Sequence, residues 1–180
     1  MKYWDRLRNY FYKRTLSERV KALQIKRNII NLNDAKTVGI IYDSTNPAND
    51  TTVTAFADKL RTQGKQVEIL GFINDKKIDT KPGVDIFNKK SLSWTLVPVD
   101  EKVEKFAAKN FDLLLGCFTD ANFSLEFIAC ISKARWRVGV YTENKTDCYD
   151  MMVNVSGKND LPYLIEQITY FLNQIKYDSK

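Results

Sequence analysis

The chain predicts an α/β fold: a three-layer, mostly parallel sheet with helices on both faces, preceded by an N-terminal helical arm. Two observations carry that expectation. Short, continuous apolar runs at residues 37–42 (TVGIIY) and 113–115 (LLL) suit strands buried on both faces, as in a parallel sheet. Between such runs, apolar residues recur at helical spacing. The stretch 111–143, FDLLLGCFTDANFSLEFIACISKARWRVGVYTE, is one complete strand, helix and strand with a polar elbow of Thr119, Asp120 and Asn122. A connection of that length between two buried strands is a βαβ unit, whose hand is right.

Taken in order, residues 1–34 read as a basic amphipathic arm and residues 35–180 as the α/β domain. Tyr3, Trp4, Leu7, Tyr10 and Phe11 share an arc of about 120° at helical spacing, with Lys2, Arg6, Asn9 and Lys13 on the other side. Thr15 and Glu18 form a capping-box pattern that predicts a second helix starting near Leu16. On that helix Leu16, Val20, Leu23 and Ile30 make one stripe and Ala22, Ile25, Ile29 and Leu32 another, so it expects two partners. After the first strand comes the loop Asp43-Ser44-Thr45-Asn46-Pro47. Asn49 or Asp50 then caps a helix bearing Val53, Phe56, Ala57 and Leu60, and Gly64 closes it. Residues 66–72 form a second strand. The segment 73–110 is the hardest to assign: a charged loop, a short strand at 84–87, a turn at 91–94 and a helix over 99–110 with Val103, Phe106 and Ala107 inward. Within the 111–143 unit, Phe123, Phe127, Ile128 and Ile131 face inward and residues 137–141 return to a strand. Residues 151–155 form a further strand. Asn159 or Asp160 caps the last helix, with Pro162 in its first turn and Leu161, Leu164, Ile165, Ile168, Leu172 and Ile175 toward the core.

Composition narrows the function classes. A chain of 180 residues with 44% hydrophobic residues forms one domain and buries roughly 70% of its unfolded surface without metals or disulfides. Cys117, Cys130 and Cys148 are an odd set without paired spacing. They are expected as reduced thiols in a cytoplasmic protein, the first two as small core residues and the third kept unreactive by Asp147 and Asp150. No apolar run reaches the roughly 20 residues of a spanning helix. The net charge of +6 belongs to the arm: residues 1–36 carry ten basic and three acidic residues, and the remainder is −1.

There is no histidine, which removes the commonest general base and metal ligand. The seven glycines are scattered singly, without a phosphate-binding loop. No cofactor, metal site or catalytic residue is assigned, and the chain leans away from an enzyme. In a doubly wound sheet, ligands bind beyond the carboxyl ends of the strands. That edge gathers Asp43, Ser44 and Thr45, then Thr119, Asp120 and Asn122, then Thr142, Glu143 and Asn144. These are the ligand-binding candidates for a sugar, nucleotide-like or phosphorylated molecule, and the same residue types are equally the turn formers and caps that every βα junction demands. Trp94 and Trp136 are expected to cover core edges with their N–H groups on partners. The arm offers Lys2, Trp4, Arg6, Lys13 and Arg14 for packing, for a homodimer or protein partner, or for RNA or an anionic membrane surface.

The 111–144 segment followed by CYDMMVNV, together with FNKKSLSW and the basic arm, resembles a family of small uncharacterised Bacteroidetes proteins known only as a domain of unknown function. That resemblance implies the fold and no catalytic residues. A strand, an apolar helix, a small-residue junction and then RVGV is also similar to the N-terminal half of heptosyltransferase-type glycosyltransferases, generally the acceptor side. The resemblance implies a Rossmann-like domain, and a donor-binding second half is not found in these residues.

Overall fold

A computed structural model of the chain describes residues 2–76, 82–142, 148–155, 157–158 and 160–176. Six strands, β1 (Thr37–Asp43), β2 (Gln66–Ile73), β3 (Asp85–Asn88), β4 (Leu113–Cys117), β5 (Trp136–Val140) and β6 (Met151–Val153), form one sheet in the order β3-β2-β1-β4-β5-β6. All five pairings are parallel. Ile40 sits between Ile69 and Leu115, so the longest apolar runs are the central strands. The order is the Rossmann-like one, with its switch point between β1 and β4.

Alternation along the strands divides the core into two layers. Val38, Ile40 and Tyr42, with Leu113, Leu115 and Cys117, pack beneath α2 (Pro47–Thr62) and α5 (Leu161–Gln174). Ile41 and Leu114 face α3 (Glu101–Ala107) and α4 (Phe123–Ile131). From Ser124 to Ile131 every residue of α4 is buried. A helix apolar on all sides needs cover beyond the sheet, and α1 (Lys2–Lys21) supplies it. Tyr12 packs between Phe123 and Phe127 and donates its hydroxyl to the Phe123 carbonyl at 2.8 Å. Arg19 forms a fork on Glu104 of α3, at 3.0 and 2.6 Å.

Several elements differ from expectation. The arm is one continuous helix from Lys2 to Lys21, and no helix begins near Leu16; residues 23–31 are not helical. This segment runs across the amino end of the sheet, where the Arg27 guanidinium donates to the Ser132 and Ala134 carbonyls and the Asn28 N–H to the Arg135 carbonyl. Leu16 therefore lies against α3 and α4, while Ile30 and Leu32 join the opposite core layer. The N-cap of α2 is Asn46, whose side chain accepts the Ala48 N–H, with Pro47 opening the helix; Asn49 and Asp50 lie one turn further in. Gly64, at φ +80, closes α2 as expected: its N–H donates to the Arg61 carbonyl and that of Lys65 to Leu60. Strand β3 is one residue later than read, followed by a single 3₁₀ turn, Lys89–Ser91. Helix α3 is shorter than the expected 99–110 because Asp100 caps it, accepting the Lys102 N–H. Phe123 is half-exposed beside Tyr12 rather than turned into the core.

Cys130 and Cys148 form a disulfide, where free thiols were expected; only the path of β5 back past α4 brings them together, and their 18-residue separation does not announce it. Cys117 is the free cysteine, and burial pushes its thiol up to about 12. Trp94 is exposed and meets Phe11 of the arm edge-on at 5.5 Å. Trp136 opens β5 with its indole N–H buried and without a partner, contrary to the expectation for it. No helix among the described residues is long and apolar enough to cross a membrane.

Candidate functional site

The polypeptide leaves β1 and β4 in opposite directions along the sheet, and the divergence opens a crevice of about 550 Å³ at their carboxyl ends. Its walls are the β1–α2 loop, the elbow after β4 and the first turn of α5. Asp43, Thr45, Thr119 and Asp120 line it, as the topology predicts for residues at those junctions. Asp43 is tied down from two sides: one carboxylate oxygen accepts the Thr45 N–H at 2.8 Å and the other the Asn122 amide at 3.2 Å. Asn122 also caps α4, its side-chain oxygen accepting the Leu125 N–H, while Glu126 reaches back to the Asn122 N–H. Asn122 thus braces the floor of the crevice from behind. Thr45 spans to the next junction, its hydroxyl accepting the Asn74 N–H at 2.9 Å. Asp120 is exposed at the rim.

Ser44 is not part of the lining. It is buried, and its hydroxyl and that of Tyr42 both donate to Asp50 of α2. Burial, together with the neighbouring Asp50, holds the Tyr42 phenol well above its ordinary range, so this trio fastens β1 to α2 in neutral-phenol form. Glu143 lies outside the described residues, as does Asn144. Thr142 does not line the crevice.

Residues missed as site candidates come from the helix starts. Asn46 and Asn49 of α2, with Asp160 and Pro162 at α5, complete the walls. Asp160 reads in the sequence as a cap, and it is one, accepting the Tyr163 N–H at 2.7 Å. Its place beside Asp43 follows from α5 packing next to α2, which no local pattern encodes. The described lining of the crevice is consequently acidic: Asp43, Asp120 and Asp160 face it, and no Lys or Arg is among its described lining residues. These carboxylates do not converge into a group of three suited to a metal ion among the described residues. The helix starts offer few spare donors. Pro47 has no N–H, the Ala48 and Asn49 N–H groups go to Asn46, and those of Tyr163 and Leu164 go to Asp160.

The other expected interaction surface is the outer side of α1. Trp4, Arg6, Lys13 and Arg14 are exposed there, with Arg14 paired to Glu18 at 3.0 Å; the Lys2 side chain lies outside the description. Tyr3, Tyr10 and Phe11 are exposed as well.

A family model described as a family of unknown function (DUF6913) matches residues 8–175. No curated protein matches the chain. The chain belongs to the DUF6913 family.

Proposed function

We propose that this DUF6913 protein is a binding module, without catalysis, that takes a neutral, hydroxyl-rich small molecule of the sugar or nucleoside class in the crevice between β1 and β4. The observation behind this reading is the lining itself: a recess of about 550 Å³, within the range of small-molecule sites, carrying three carboxylates and the amides of Asn46 and Asn49 and, among the described residues, no cationic side chain. Carboxylates and amides accept and donate to vicinal hydroxyls. A phosphate fits poorly, since the three acids repel it and the helix N-termini that would hold it have spent their first N–H groups on their own caps. With no histidine in the chain and both oxygens of Asp43 already accepting hydrogen bonds, binding is the better supported role.

Thermal unfolding in the presence of neutral sugars and nucleosides, each beside its phosphorylated form, tests this. A ligand at about 100 times its dissociation constant adds about 2.7 kcal/mol. The neutral member of a pair should stabilise and its phosphate should not, and Asp120→Ala should weaken the neutral ligand about tenfold or more through loss of a charged hydrogen bond. Tighter binding of the phosphate, no stabilisation by any neutral compound, or indifference to Asp120→Ala would each overturn the proposal.

A further inference from the structure

The outer face of α1 presents a second surface, apart from the crevice. Its inner face is committed to the domain through Tyr12, Leu16 and the Arg19–Glu104 fork. What remains outside is aromatic and charged: Tyr3, Trp4 and Tyr10 are 73%, 69% and 61% accessible, Phe11 is exposed beside them, and the exposed Arg14–Glu18 pair, neutral in sum, lies in the same arc. The domain adds Trp94, 58% accessible, whose ring meets Phe11. The patch is therefore shared between helix and domain and is held in place, not carried on a loose tail. Arg6 and Lys13, one heptad apart on the polar side of the helix, border the aromatic arc next to Tyr10, Lys13 also reaching the groove between α1 and α4, and they form no ion pair among the described residues.

Exposed Tyr and Trp rings with unpaired cations beside them match the chemistry of a lipid headgroup layer. Three physical points favour that occupant. Tyr and Trp are amphipathic and settle at the boundary between headgroup and acyl chain, and a convex helix ridge can enter such a soft plane. Two copies related by a twofold axis would bring Arg6 and Lys13 toward their own mates, a like-charge contact that an aromatic patch must offset. RNA readers stack bases on open aromatic faces, whereas these rings meet one another edge to face, Tyr3 with Trp4 at 80° and Tyr10 with Phe11 at 79°. Charge complements an anionic plane in the same sense: residues 1–36 carry +7 and the rest of the chain −1, so the field points the arm at the surface.

We infer that the aromatic face of α1, with Trp94, docks the protein in plane on an anionic lipid bilayer. The test uses the full chain and co-sedimentation with phosphatidylcholine vesicles, with and without phosphatidylglycerol, across a salt series. Binding is expected only to the anionic vesicles, weakening as salt rises. The double variant R6E/K13E should bind at least about 25-fold more weakly, at about fivefold for each cation lost. W4S/Y10S should abolish the protection of tryptophan fluorescence from an aqueous quencher, while both variants keep the parent's circular dichroism and melting temperature. Equal binding to neutral and anionic vesicles, or unchanged binding by R6E/K13E, would overturn the inference. So would a dimer in solution that W4S/Y10S dissociates, or a single-stranded RNA that competes the chain off the vesicles at lower concentration than soluble phosphatidylglycerol.

Discussion

Removing the carboxylate of Asp150 should be the most damaging single change on the sheet's α4 side. Asp150 lies just before β6 and takes three hydrogen bonds from Arg137 of β5: from its backbone N–H at 2.9 Å, from Nε at 3.0 Å and from Nη2 at 2.9 Å. The Arg27 Nε stands 3.8 Å away on the other side. Arg137 and Asp150 side chains are only 9% and 14% accessible, so water does not replace what is lost. Arg27 is already held below the ordinary guanidinium range, first by its burial and then by the Arg137 charge, with Asp150 opposing both. Asp150→Ala leaves two neighbouring guanidinium groups buried without a counter-ion. Stranding a buried charge costs about 3–5 kcal/mol, and for a chain of this size each kcal/mol lowers the melting temperature by about 2–4 °C. Urea unfolding followed by circular dichroism should show this loss, with the slope unchanged. The double variant Arg137→Met/Asp150→Leu removes both charges and should lose less than Asp150→Ala alone. A cost under about 1 kcal/mol for Asp150→Ala, or a double variant worse than the single, would refute the reasoning.

Two further outcomes follow from the packing of single groups. A Cβ on Gly139 would sit inside the ring of Tyr149, within 2.6 Å of its Cε atoms, and one on Gly116 would strike the same ring; Gly139→Ala should therefore destabilise by about 1–3 kcal/mol in urea, and a change of a few tenths would mean that Tyr149 is not seated there. Cys117 has its thiol raised by burial from 9.0 to about 12, so the folded state keeps a proton that the unfolded state releases. Its contribution is whole below pH 9 and lost as pH rises toward 12; urea midpoints at pH 8 and 11 should diverge more for the parent than for Cys117→Ala, and parallel lines would contradict the burial of the thiol.

The central strands and α2, α4 and α5 were readable because burial on two faces leaves continuous apolar runs and burial on one face leaves a 3.6 period. Residues 16–32 misled for a physical reason. The helix ends at Lys21, and the extended crossing that follows carries the chain from the layer of Leu16 to the opposite layer, where Ile30 and Leu32, read as members of different helical stripes, sit together. The crevice was half readable. Asp43 and Asp120 follow from the switch-point rule, but Asp160 depends on α5 lying beside α2, and Ser44 turned out to belong to the anchor under α2 because Asp50 draws its hydroxyl inward. The cysteine pair was unreadable by spacing, since its geometry exists only once β5 and α4 have packed.

The elbow between β4 and α4 ties the two proposed surfaces together. Asn122 reaches forward to Asp43 in the crevice, and the next residue, Phe123, offers its carbonyl backward to the Tyr12 hydroxyl and its ring to the same tyrosine. Tyr12 is buried, and its phenol is raised far above its ordinary range by that burial and by Glu126, so it stays a neutral donor throughout the physiological range. Glu126 in turn holds the Asn122 N–H. Three consecutive links, Asp43 to Asn122 to Phe123 to Tyr12, therefore run from the crevice floor to the inner face of α1 through two hydrogen bonds and one covalent step. The start of α4 thus meets both the crevice, through Asn122 and Asp43, and the arm, through Phe123 and Tyr12. The contacts that bury α4 on every side thus set the proposed small-molecule recess and the proposed docking face at the two ends of one short elbow, held in fixed relation by the packing of α4 between its neighbours.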